Sequence, residues 1–314
     1  MLRTALWMAA LCVAGPALAQ PAAAPQPALE PAAGEPGSSE DTIVVTGRKE
    51  PPSRSEVLDQ AIELSRVTPN RVGLYETALA RFWAPICPEV AGLKTELARV
   101  VGDRIRANAV RIGARVARRG CSPNLVVAFE DDGRTVLADL ERRHARLFSL
   151  VAAPERAEIL EQSGPVRVWS NLVLRWTGAS APPDGWPKMK ASVRGQFSRS
   201  SLPEAREIGT AVIVFDRTAI VGMTLTQIAD YATMRGLSHT RGASGDEPMG
   251  TILAMFAEDA SAPGELTAFD VAYLRSLYRE MPNQPAVSKL LGIRRRAAQE
   301  ERRSFATLEA EPAR

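Results

Sequence analysis

The placement of the cysteines constrains this chain most. Of the three, Cys12 lies in an apolar N-terminal stretch, which leaves Cys87 and Cys121 for the rest of the protein. Neither has a second cysteine or a histidine at ligand spacing, which argues against a Cys-x-x-Cys redox pair and a Cys/His zinc site. In a compartment that permits oxidation, such a pair is expected to form one structural disulfide. Closing that loop restricts the unfolded chain by about 4 kcal/mol in the chain-entropy description.

The oxidising compartment is itself an expectation from the first residues. Arg3 gives a positive start, Leu6 to Val13 an apolar stretch, and Ala17-Leu18-Ala19 a small-x-small cleavage site before Gln20. Gly15-Pro16 breaks the segment, which is too short to cross about 30 Å of hydrocarbon as a helix. Ala9-Ala10-Leu11 lacks the small residue expected directly before a lipidated Cys12. Residues 1–19 therefore read as a signal peptide and the chain as periplasmic. No later apolar run approaches the roughly 18 residues of a membrane span. With 39 basic against 36 acidic residues, bulk charge gives no case for nucleic acid, and no basic platform interleaved with aromatics is present. Phosphate-binding, dinucleotide and calcium-loop signatures are also missing, so no cofactor is expected.

Residues 20–40 are Pro, Ala, Gly, Ser and Glu with almost no large apolar side chain, the composition of a disordered linker. Globular patterning starts near residue 54. A first sub-domain, 54–165, reads as β-α-β-α. Its elements are a short helix at 55–66, a strand from Thr77 to Ile86, a helix from Leu93 to Arg118, a strand from Asn124 to Phe129 and a helix from Arg134 to Arg146. The long helix carries Leu97, Val101, Ile105, Ile112 and Val116 as one apolar stripe. Arg104, Arg111 and Arg118 lie along its flank as a solvated face or a basic stripe. The disulfide is expected to tie the end of the first strand to the approach of the second.

The second sub-domain, 166–281, begins with a strand from Val166 to Thr177. A hairpin, Gly209 to Phe215 and Ala219 to Thr224, is expected around Asp216-Arg217. A helix from Leu225 to about Arg235, a loop to Gly250, the apolar stretch Thr251 to Phe256 and a helix from Thr267 to Glu280 follow. Residues 282–314, with Arg294-Arg295-Arg296, read as a charged helical tail. The fold class is α/β or α+β.

Leu266-Thr267-Ala268-Phe269-Asp270 starts the last of these helices with a capping box, and Val271, Leu274, Leu277 and Tyr278 give it a buried face. Written L-T-x-x-D-x-x-x-L-x-x-L-Y, it resembles the final helix of matrixin-like (metzincin) zinc proteases and of secreted bacterial proteins related to them. Met255-Phe256 stands about ten residues upstream, where that family has its methionine turn. The family's H-E-x-x-H-x-x-G-x-x-H puts two histidines four apart on one helix face, and its glycine turns the chain toward a third. Aligned on Gly236, the corresponding residues here are Ala229, Asp230, Thr233 and His239. The resemblance therefore implies a zinc-protease-like frame without its zinc site. It further implies that the 225–235 helix lies beside a sheet edge with His239 toward the open face. A cleft of that kind retains main-chain recognition of a peptide or cell-envelope fragment. The alternative is a hydrolase or peptidase with an atypical site drawn from Asp230, His239 or Asp246. Gly242-Ala243-Ser244-Gly245 lacks the G-x-S-x-G elbow of a serine nucleophile.

Asp41-Thr42-Ile43-Val44-Val45-Thr46-Gly47, rich in β-branched residues, favours an extended strand. It resembles the TonB box of outer-membrane receptors, which implies pairing with a TonB-type energy-coupling protein by strand addition. The remaining chain is too short for the receptor barrel, so such a role would be that of a soluble partner.

Overall fold

In the computed structural model the described residues are 51–148, 151, 153–162, 164–176, 200–243, 248–257 and 262–310. The leader, the linker and Asp41 to Gly47 lie outside them. Four strands build one mixed sheet: β1 (Pro88–Ala91), β2 (Leu125–Glu130), β3 (Val166–Trp176) and β4 (Glu204–Asp216), in the order β1-β2-β4-β3. β1, β2 and β4 run parallel, and β3 is the antiparallel edge. The sheet takes two strands from each side of residue 165, and residues 50–314 form one unit.

Strand alternation sorts the core into two layers. Leu125, Val127 and Phe129 of β2 pair in register with Ala211, Ile213 and Phe215 of β4, and all six are fully buried. They face a thick layer holding α1 (Arg54–Leu64), α3 (Thr95–Ile112), α6 (Leu225–Ser238) and α7 (Ala268–Tyr278). Between α1 and α3 comes the short α2 (Arg71–Tyr75). The opposite face packs Trp169 and Val214 on Leu137 of α4 (Gly133–Arg143), Phe148 and Ile159 of α5 (Ala153–Glu161). Among the described residues no helix is long and apolar enough to cross a membrane.

Several expected elements differ. Residues 77–86 form no strand; they make isolated bridges, Ala78 to Pro285, Arg81 to Glu207 and Ile86 to Val116. Pro85 has no N–H for a ladder, and the first strand starts after Cys87. The Cys87–Cys121 bond is present, with Cα atoms 6.1 Å apart, and it joins the start of β1, not its end, to the approach to β2. α3 stops at Ile112 because Gly113 takes φ 91° and the N–H groups of Gly113 and Ala114 cap the last carbonyls. Val116 and Arg118 are therefore not on this helix, and Leu97 is exposed. No hairpin forms at Asp216. That carboxylate accepts from the Gly133 N–H and from Arg167, and a 3-10 turn, Arg217–Ile220, follows. After 282 the charged segment is helical and packs on the body: α8 (Ala286–Leu290) precedes α9 (Ile293–Ala310), which buries Ile293 and Ala297, and Arg275–Glu300 and Arg296–Glu280 pair α9 with the end of α7.

The helix carrying the candidate site lies deepest. Every residue of α6 from Ile228 to Ser238 is buried. Gly236 allows its approach to the sheet, since a Cβ there would lie 2.6 Å from Leu125 Cδ1 and 3.1 Å from Ile213 Cδ1. The helix thus lies over β2 and β4 at the centre of the sheet, not beside an edge.

Candidate functional site

α6 begins with a capping box in which Thr224 accepts from the Gln227 N–H and Gln227 reaches back. One turn further on, Asp230 is fully buried and accepts four hydrogen bonds. Arg104 donates through Nε to Oδ1 and through Nη2 to Oδ2, both at 2.8 Å. The Asn108 amide donates to Oδ1 at 2.6 Å, and the Leu266 N–H to Oδ2 at 2.8 Å. Arg104 and Asn108 stand four apart on α3 and so share one face. Arg104 also pairs with Glu265 at 2.9 Å, and its hydrogen bonding to Asp230 leads the effects that hold its guanidinium above its ordinary range. Asn108 donates as well to Thr233, whose hydroxyl donates back to the Ala229 carbonyl at 2.8 Å. A carboxylate enclosed by four donors has neither lone pairs nor solvent access left for proton transfer.

A second buried carboxylate locks the segment that follows. Asp270 accepts from Thr251 Oγ1 (2.5 Å), the Ile252 N–H (2.9 Å), the Thr267 N–H (2.9 Å) and the Thr267 hydroxyl (3.0 Å). Burial pushes its carboxyl up to about 6 against those donors. The 3-10 turn it holds, Ile252–Phe256, buries Met255 and sets Phe256 edge-on to Tyr231 at 5.0 Å. At the far end of α7, Tyr278 donates to the Leu237 carbonyl at 2.7 Å and accepts from the Phe82 N–H. Leu266, Leu274 and Leu277 are buried. The residues of the L-T-x-x-D motif therefore join α6, the turn and α7 as structural contacts.

His239 closes α6 in the left-handed region, φ 50°, and is buried. Its Nε2 lies 3.6 Å from Glu155 on α5. Burial first, then Arg66, Arg206 and Arg235, hold the imidazole well below its ordinary value, so it is neutral. Glu155 also meets Arg66 at 3.3 Å, and burial pushes its carboxyl up. The imidazole does not point to an open face. Asp230 and His239 are nine residues apart, about 13 Å of helix rise, and they face different elements, so the structure does not bring them together. Asp246 lies outside the described residues. Among the described residues no three His, Cys, Asp or Glu side chains are grouped to hold a metal ion.

Sequence reasoning missed the partners. Arg104 reads as a flank residue, yet it is the counterion of Asp230. The available signal was Asn108, which sits on the buried line Val101, Ile105, Ile112; a polar residue at such a position needs a buried partner. Neither a protein-family model, a curated protein nor a solved structure matches the chain.

Proposed function

We propose that this is a non-catalytic binding or scaffolding protein of the bacterial cell envelope. The observation that carries the reading is the closure of Asp230, the one carboxylate standing where the zinc-protease likeness would put a general base. Its four donors commit it to holding α3, α6 and the start of α7 together, and Ala229 and Thr233 beside it are fully buried. The order of helix, methionine-bearing turn and capped final helix supports the likeness to zinc proteases, and the seating of α6 over the middle of the sheet counts against it. Export to the periplasm agrees with the leader-like start of the chain and with a disulfide, a bond that persists in oxidising compartments. Incubation with a diverse peptide library, with zinc and with chelator, tests the reading. No cleavage is expected in either condition, and sustained chelator-sensitive cleavage overturns it.

A further inference from the structure

A groove of about 730 Å³ runs between the start of α1 and the first turns of α9. Pro51, Pro52 and Leu291 give it apolar lining, while Arg54, Arg294, Arg295 and Arg302 border it, all four exposed. Pro52 braces Arg294 by accepting from its Nε at 2.9 Å, which uses neither of the two amino groups of that guanidinium. Arg296 is committed to Glu280. Glu301 is the acidic residue among the described lining, so the rim carries a clear excess of positive charge.

Arg295 and Arg302 are seven apart on α9, two turns, and therefore share a face; Arg54 comes from α1. Like charges gathered round a concavity repel one another and focus a positive field into it. Guanidinium forks match phosphate oxygens two at a time, and the volume falls within the range of small-molecule sites. We propose that this groove binds a soluble ligand carrying two or more phosphate-type oxyanions. The concave form, with arginines converging from two helices, fits a discrete ligand better than a flat lipid surface. The site is independent of α6 and stands whether or not the non-catalytic reading holds.

Calorimetric titration of the full chain with inorganic tripolyphosphate, at low and at physiological ionic strength, tests this. Saturable one-to-one binding that weakens with salt is expected. Arg295→Gln with Arg302→Gln should weaken it by about tenfold or more, as the loss of charge-assisted bonds implies. Arg142→Gln with Arg143→Gln, on α4 where both pair with Asp139, should leave it unchanged. Arg295→Lys with Arg302→Lys keeps the charge but loses the fork, and should bind between the other two. Absence of saturable binding, equal losses in the glutamine pairs, or lysine variants binding as tightly as the parent chain contradicts the proposal. So does binding to phosphatidylglycerol vesicles without binding to tripolyphosphate.

Discussion

The two ends of α6 are buried alike and neutralised differently. Near its start, the Asp230 carboxylate is matched by Arg104, which donates twice, and by two further hydrogen bonds from Asn108 and the Leu266 N–H. Just past its end, His239 gives up its charge because it is buried and because Arg66, Arg206 and Arg235 surround it, against Glu155. A matched buried pair is costly to break from one side, whereas a neutral imidazole among cations stores a sensitivity to acid. The comparison explains how residues that invite a catalytic reading can both be structural.

The largest effect is expected at the matched end. Asp230→Ala strands Arg104, Asn108 and the Leu266 N–H, and should cost about 3 kcal/mol in urea unfolding with the disulfide intact. This is the low end of the usual range because the Arg104 side chain, 32% exposed, can rehydrate. A loss no larger than a surface substitution gives would break the comparison at its first limb. Gly236→Ala tests the seating of the helix between the two ends. Its Cβ would overlap Leu125 and crowd Ile213, and overpacking of that kind should cost about 2 kcal/mol; unchanged stability would mean that α6 does not sit so close to the sheet.

The smallest effect is at His239. The folded imidazole stays neutral well below 6.5 while the unfolded one takes a proton near 6.5, so the unfolded state binds more protons and stability falls as pH drops through that region. His239→Asn, which tolerates the left-handed backbone, should change stability by under about 1 kcal/mol at neutral pH and flatten the curve just below pH 6.5. Glu155, raised above its ordinary 4.5, contributes with opposite sign at lower pH, so the upper window is the informative one. An acid limb that survives the substitution would remove His239 as its source.

Local signals made much of the fold legible. The capping box at Thr267 locates the start of α7, β-branched and apolar runs locate β2 and β3, and the cysteine pair is joined as expected. Sheet order was not legible. β4 pairs with β3 across a long connection and with β2 in parallel, and alternation shows which face is buried without showing which strand lies alongside. The site followed the same rule. Asp230 and His239 stand out as residue types, but Arg104 is 126 positions from its carboxylate and Glu155 lies on another helix. Helical periodicity identifies a buried stripe, and the meeting of two stripes is decided by packing. Arg104 shows the limit most clearly, because its neighbours in sequence describe a solvated flank.

A double-mutant cycle on Arg104 and Asp230 tests most directly whether α6 carries a structural ion pair. Stabilities of the parent chain, Arg104→Met, Asp230→Asn and the double variant, from urea unfolding at neutral pH, isolate the coupling between the two side chains. A bidentate, charge-assisted pair with one partner fully buried should couple by about 1.5 kcal/mol or more. The double variant should then be more stable than the sum of the single losses implies. Additive losses would show that the carboxylate does not depend on Arg104, and would return Asp230 to consideration as a free acid or base.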